Sequence, residues 1–247
     1  MSGLRPLLGR VLRRVPASWK SSIKWSLTIP DMEASLRNMA RIGFAPKQVL
    51  DIGAYVGEWT RMCRRIFPES HVLMFEPQPE RKAGLEALCR EVSNVELNTS
   101  LLGRAAQGAV TFRLLETGSS IYATGRHADA PMISLPMTTL GAVVRDTPFA
   151  RPNLIKIDVQ GAELDVFTGG WEVVCAAEAI VIEVALFAEY ANAPLASEVI
   201  RALDDRQFRP YDICTIWRNT PTRSADQADM IFVRDTSPLF EKRHYLG

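Results

Sequence analysis

Val49-Leu50-Asp51-Ile52-Gly53-Ala54-Tyr55-Val56-Gly57-Glu58-Trp59-Thr60 decides the fold class of this chain. A short apolar run ends in Asp51, Gly53 and Gly57 follow, and helical sequence resumes directly. That order is the strand, tight turn and helix of a nucleotide-binding α/β unit. Gly53 has no Cβ, so the chain can turn sharply there or be approached closely by a ligand. A helix starting near Gly57 would point free N–H groups into the crevice above the strand. The spacing differs from the GxGxxG of a dinucleotide fold, because Tyr55 stands where the middle glycine would be. A ligand without a pyrophosphate tolerates that difference, and S-adenosylmethionine is the natural candidate.

Working outward, His71-Val72-Leu73-Met74-Phe75-Glu76 reads as a second buried strand ending in a carboxylate. An acid at that place accepts hydrogen bonds from ribose hydroxyls; its plain alternative is a solvated strand end. Pro77 and Pro79 stop the strand, and Arg81 to Glu91 suits the next helix. Asn94 to Asn98, Ala109 to Leu115 and Ile133 to Met137 read as further strands, with a short helix over Thr139 to Arg145. Pro152 to Asp158 is another strand ending in an acid, and helical sequence follows to Gly169-Gly170. Ala179 to Val184 is a continuous apolar run, the mark of a central strand covered on both faces. Leu195 to Asp205 is helical. Phe208 to Ile216 and Asp229 to Arg234 close the chain as two strands around a mobile, polar link over Arg218–Gln227. Strands alternating with helices predict an α/β, doubly wound, mostly parallel sheet with a C-terminal antiparallel hairpin.

The chain of 247 residues suits one α/β domain over 31–247, with a polar substrate-side insertion at 116–133. The net charge of +1 hides an asymmetry: residues 1–30 carry six basic residues and no acid, leaving 23 basic against 28 acidic residues elsewhere. Leu4, Leu7, Leu8, Val11, Leu12 and Val15 recur at helical spacing in that basic segment. It reads either as a peripheral helix on anionic lipid or as a helix packed on the domain. It has no continuous apolar stretch of the kind a secretory signal needs. No run approaches the roughly 18–20 apolar residues of a membrane span. Cys63, Cys89, Cys175 and Cys214 are scattered, so no zinc site is expected, and they suit a reducing compartment. These features point to the cytoplasm, with the inner membrane surface as an option. An acidic body without a basic, aromatic-interleaved stripe argues against nucleic acid as a partner. Oligomeric state is not legible.

Four motifs now stand in order: Val-Leu-Asp51-Ile-Gly53-Ala-Tyr-Val-Gly57, Phe-Glu76-Pro, Gly-Ser119-Ser120, and Ile-Lys156-Ile-Asp158-Val-Gln-Gly161-Ala-Glu163. Together they resemble the FkbM family of S-adenosylmethionine-dependent methyltransferases over about residues 35–234. The resemblance implies a class I Rossmann-like methyltransferase fold, with Asp51, Gly53 and Gly57 around the methionine part and Glu76 on the ribose. It further implies methylation of a hydroxyl on a sugar, glycolipid or polyketide-type product. The basic N-terminal segment lies outside it.

Methylating an alcohol requires a methyl sulfonium held in line and a base for the hydroxyl proton. Asp51, Glu76, Asp158 and Glu183 all fall at or near the carboxyl ends of strands, where open α/β sheets bind ligands. Asp51 is expected to orient the glycine turn and the methionine ammonium group. Asp158 is the first choice for base or acceptor anchor; capping the following helix is its alternative. Glu183 interrupts an apolar strand, and an unpaired buried carboxylate is expensive. Lys156 is expected to neutralise one of these acids. His127 lies in the polar insertion with a pKa range suited to proton transfer. Ser119 and Ser120 are candidates for contact with substrate or the methionine carboxylate, with a turn role as the alternative. Glu163 is a candidate for substrate contact, for support behind the site or for an exposed carboxylate in the first helical turn. Tyr55 is a candidate for stacking on the cofactor. No metal is expected. The leading expectation is an O-methyltransferase acting on a saccharide or glycoconjugate. The alternatives are a polyketide or secondary-metabolite O-methyltransferase and a catalytically silent scaffold, with an NAD-dependent dehydrogenase fainter still.

Overall fold

The structure is a computed structural model that describes residues 31–115, 118–122, 129–188, 190–219 and 221–241. The basic segment 1–30 and His127 lie outside the described residues. In chain order the elements are α1 (Met32–Arg41), β1 (Gln48–Ile52), α2 (Glu58–Ile66), β2 (His71–Phe75), α3 (Pro79–Glu91), β3 (Val95–Asn98) and β4 (Leu101–Leu102). Next come β5 (Gln107–Arg113), β6 (Met132–Thr138), α4 (Leu140–Val144), β7 (Leu154–Ile157), α5 (Glu163–Thr168) and α6 (Trp171–Val174). β8 (Ala179–Ala185), α7 (Ala196–Asp204), β9 (Phe208–Arg218), β10 (Ala225–Arg234) and α8 (Pro238–Glu241) complete them.

The main sheet runs β3-β2-β1-β7-β8-β10-β9, and β4-β6-β5 form a separate small sheet. β3, β2, β1, β7 and β8 pair in parallel, while β10 is antiparallel to both β8 and β9. This is the doubly wound sheet with a closing antiparallel hairpin that the alternating pattern predicts. The hairpin is longer than expected. β9 reaches Arg218 and β10 starts at Ala225, so both ends of the supposed polar link are paired strand and only 219–224 lie between them.

Side chains alternate along each strand, so one sheet feeds two cores. Leu50, Ile52, Phe75, Ile155, Ile157, Ile180 and Ile182 pack with α5 and α7 through Val166, Phe167 and Leu203. Val49, Val72, Met74, Leu154, Val181 and Ile231 pack on the other face against α1, α2 and α3 through Leu36, Met39, Cys63, Leu85 and Leu88. β8 is buried over most of its length, as its unbroken apolar run requires of a strand covered on both faces. Local chemistry sets the helix starts. Asp31 accepts the Ala34 N–H at 3.0 Å to cap α1, and Thr139 does the same for α4 through Ala142 at 3.2 Å.

The turn after β1 is the tightest point of the fold. Gly53 has φ +81°, and a Cβ there would lie 1.9 Å from the Asp158 carbonyl oxygen. Gly57, at φ +79°, lies against Leu88 of α3, whose Cδ2 would be 2.3 Å from an added Cβ. Gly53→Ala therefore combines a backbone clash with a disfavoured φ. It should destabilise the protein by at least about 1 kcal/mol in thermal or denaturant unfolding; unchanged stability would show that the turn can relax.

Candidate active site

The register of the sheet places the chemistry in one line. Met74, Asp51, Lys156, Val181, Ile231 and Asp212 are successive partners across six strands. Two residues nearer the carboxyl ends of the parallel strands, the same face carries Glu76, Gly53, Asp158, Glu183, Asp229 and Thr215. There the apolar cover of α1–α3 gives way to a cavity of about 780 Å³. Glu76, Asp158, Glu183 and Asp229 all line it. Its size lies within the ordinary range of about 300–1,000 Å³ for small-molecule sites.

At the β1–β2 end the turn and Glu76 form one unit. Gly53 and Ala54 both donate to the Phe75 carbonyl, at 2.9 and 3.0 Å. Glu76 is buried, accepting from the Tyr55 N–H through Oε2 at 2.8 Å and from the Gln78 N–H through Oε1 at 2.9 Å. Burial pushes its carboxyl up, against the pull of those two N–H groups. Two bonds leave an ionised carboxylate with further acceptor capacity, which suits a ribose diol. Tyr55 adopts φ +51° in place of a glycine and has Arg81 over its ring at 4.3 Å. Its N–H, which a pyrophosphate would need, is already given to Glu76. α2 starts without a side-chain cap, and Glu58 and Trp59 of its first turn line the cavity. These residues fit S-adenosylmethionine: Glu76 for the ribose, the turn for close approach and the α2 start for the methionine carboxylate.

Asp51 corrects one expectation. It is fully buried and sits beneath the cavity, accepting from Thr60 Oγ1 at 2.6 Å with Lys156 Nζ 3.4 Å away. A carboxylate so enclosed has no surface to offer a methionine ammonium group. It orients the turn indirectly, because Lys156 also donates to the Gly53 carbonyl at 2.6 Å. Lys156 does neutralise acids, as its position suggested. Burial lowers its pKa, but Asp51 and Asp158 more than compensate, and the net shift is upward.

At the far end, Asp158 has its side chain 35% exposed to the cavity side. Its Oδ1 accepts from Gln160 Nε2 at 2.7 Å, and its Oδ2 lies 3.9 Å from Lys156 Nζ. It does not cap α5, whose start at Ala162 has no side-chain cap. Glu183 Oε1 accepts from Gln160 Nε2 at 3.2 Å and from Gln227 Nε2 at 2.9 Å. Burial first, then the charges of Asp158 and Asp229, push its carboxyl up to about 9. Burial and Asp158 push Asp229 up to about 6, against a hydrogen bond from Thr215.

Glu163 and Ser120 do not line the cavity, against the substrate contact expected of them, and take the supporting roles that are their alternatives. Glu163 is buried and folds its Oε1 back onto the N–H groups of Val159 and Gly161, at 3.2 and 3.1 Å. Burial pushes it up to about 7. It is neither exposed nor on the cavity wall, because the loop after β7 wraps around it. Ser120 is buried, donates to the Gln160 carbonyl at 2.7 Å and accepts from the Tyr122 N–H at 3.0 Å. Ser119 lines the cavity, and its Oγ accepts the Leu115 N–H at 2.8 Å, a turn role on the cavity wall.

Asp229, Gln160, Gln227 and Trp217 are absent from the sequence-based site. Asp229 faces Glu183 only because β10 inserts between β8 and β9, a pairing that no local pattern announces. Gln160 stood inside the quoted Asp-Val-Gln-Gly segment, but its role depends on φ +55° turning the side chain toward the two acids. Trp217 lines the cavity and is 56% exposed.

Residues 51–210 match the Methyltransferase FkbM domain family. The protein named Methyltransferase 1 of Beauveria bassiana (strain ARSEF 2860) is 30% identical over 142 residues, covering 49% of this chain and 57% of that protein. The chain thus spans little more than half the length of that relative. Among solved structures, magnesium protoporphyrin IX methyltransferase (ChlM) from Synechocystis PCC 6803 with bound SAM has a TM-score of 0.47 at 12% identity, covering 87% of this chain and 79% of that one. The N-terminal domain of EvdMO1 with SAH bound has a TM-score of 0.46 at 12% identity, covering 84% of this chain and 82% of that one. Likeness of this depth bears on no chemical assignment. The match over 51–210 does: this chain belongs to the FkbM family of methyltransferases.

Proposed function

We propose that the chain is an S-adenosylmethionine-dependent O-methyltransferase acting on a hydroxyl of a saccharide or glycoconjugate. The observation that carries this reading is the shared row. Glu76 and the glycine turn occupy one end of a single cavity, and the half-exposed carboxylate of Asp158 lies farther along it. S-adenosylmethionine, when bound, supplies an electrophilic methyl sulfonium. The chain binds the ribose through Glu76, orients the donor through the turn, and takes the acceptor's hydroxyl proton on Asp158.

The two remaining acids divide the work. Glu183 keeps its proton at neutral pH and serves as a hydrogen-bond donor to an acceptor oxygen rather than as a base. Asp229, raised to about 6, keeps a negative charge at neutral pH and adds an acceptor. Gln160 and Gln227 orient Glu183 through their Nε2 groups, leaving the carboxyls of Glu183 and Asp229 to offer a polyol a donor and an acceptor. The exposed indole of Trp217 adds a flat apolar face beside it, which suits the C–H face of a sugar ring.

The reading is tested by incubating the protein with S-adenosylmethionine and a panel of saccharides and glycolipids, following S-adenosylhomocysteine and methyl ether formation by mass spectrometry. Turnover confined to phenolic or polyketide hydroxyls would move the acceptor to that class; failure to bind S-adenosylmethionine at all would leave a silent scaffold. Asp158→Asn should retain donor binding and slow methyl transfer about 100-fold or more. Near-normal turnover would remove Asp158 from the base role. Glu76→Ala should weaken S-adenosylhomocysteine binding by about 1–3 kcal/mol in a calorimetric titration.

Proton linkage gives a further expectation. The Glu183 carboxyl rises from 4.5 to about 9 on folding, so between those values the folded state holds a proton that the unfolded chain has released. The stability it contributes is complete below the lower value and is lost as pH rises toward the upper one. Glu183→Gln should therefore lose less Tm than the unmodified protein across that window. An unchanged slope of Tm against pH would mean that Glu183 ionises normally in the fold.

A further inference from the structure

The Gly53 carbonyl has no place in the strand ladder. β1 ends at Ile52, and φ of +81° at Gly53 turns the following peptide out of it. A buried carbonyl left without a donor is costly. The donor it receives is the ammonium of Lys156, at 2.6 Å. The Lys156 side chain is only 11% exposed, and its Nζ also lies 3.4 Å from Asp51 Oδ1 and 3.9 Å from Asp158 Oδ2. One cation thus meets the donor turn, the buried carboxylate beneath it and the carboxylate on the acceptor side.

The other fixings of the turn come from β2 or from the turn itself. Gly53 and Ala54 donate to Phe75, Tyr55 donates to Glu76, and Gly57 donates to Ala54 at 2.7 Å. Lys156 holds the turn from the side of β7. A neutral donor in its place would satisfy the carbonyl, but it would leave Asp51 as a buried charge with only Thr60 as a hydrogen-bond donor. That double demand explains a lysine at a position whose neighbours, Ile155 and Ile157, are buried and apolar.

We propose that Lys156 is a positioning residue for the methyl donor, fixing the Gly53–Gly57 turn through the Gly53 carbonyl and tying it to Asp158. The proposal rests on the methyltransferase reading above. Through this contact the donor turn and the acceptor carboxylate keep a fixed separation, which in-line transfer between two bound groups requires.

The test measures S-adenosylhomocysteine affinity by calorimetry and Tm by thermal unfolding, side by side. It compares the unmodified chain with Lys156→Met, Lys156→Arg and the double variant Lys156→Met/Asp51→Asn. Lys156→Met should lose about 10–100-fold in affinity and melt earlier. The double variant, freed of the stranded carboxylate, should recover Tm while its affinity stays low. Lys156→Arg, which keeps a cation, should recover part of the affinity. Should Lys156→Met fail to fold, the double variant carries the same comparison. Unchanged affinity in a folded variant lacking the ammonium overturns the proposal. Affinity recovering together with Tm in the double variant also overturns it, since Lys156 would then only balance charge. If the unmodified chain does not bind S-adenosylhomocysteine, the methyltransferase reading itself fails and takes this one with it.

Discussion

The site depends on a buried ion pair. Asp51 and Lys156 face each other across β1 and β7, with Asp51 fully enclosed and Lys156 reaching the cavity floor, one row below the carboxylates of the site. Such a pair is no simple gain in stability, because the cost of desolvating both charges offsets their attraction. Its importance is that neither partner can be removed alone: a stranded buried charge costs about 3–5 kcal/mol. The pair therefore fixes a geometry more than it adds stability. It holds the glycine turn at the correct height above the sheet and leaves Lys156 close enough to Asp158 to moderate the acids around it.

That moderation matters because the row above is crowded with carboxylates. Glu76, Asp158, Glu183 and Asp229 share one sheet edge, and four full charges there would repel one another strongly. The fold relieves the strain by division. Glu76 is satisfied by backbone N–H groups, Asp158 faces Lys156 and Gln160, and burial with the neighbouring charges pushes Glu183 and Asp229 toward their neutral forms. Carboxyls whose surroundings push their pKa values apart are what acid–base chemistry near neutral pH uses. The Glu76 end and the Asp158–Asp229 end of the row thus differ in electrostatic character although they lie on one line of the sheet.

Much of this was legible in the sequence, and the misses have physical causes. The Asp51–Gly57 turn, the strand ending at Glu76 and the Lys156–Asp158 segment are local patterns, because glycine conformation, strand termination and buried polar residues each leave a local trace. Asp229 left none, since its role comes from a register between β10 and β8 that only the folded sheet creates. Asp51 has the sequence signature of a ligand contact yet lies enclosed, and Ser120 and Glu163 fit an outward and an inward role equally well from sequence alone. A polar residue near a ligand site has the same sequence signature whether it touches the ligand or supports the loop that does. Burial separates the two cases, and burial of single polar side chains is a tertiary property. The membrane option for residues 1–30 rests on its amphipathic sequence; among the described residues no helix is long and apolar enough to cross a membrane.

In the function proposed above, donor and acceptor meet along one row, with the donor at the β1–β2 end and the acceptor carboxylates beyond it. A crystal structure of the protein with S-adenosylhomocysteine tests this most directly. The account predicts ribose hydroxyls on the Glu76 carboxylate and the thioether sulfur turned toward Asp158, with the space beside Glu183, Asp229 and Trp217 left for the acceptor. A nucleoside seated among Asp158, Glu183 and Asp229, or a sulfur directed away from them, would contradict it.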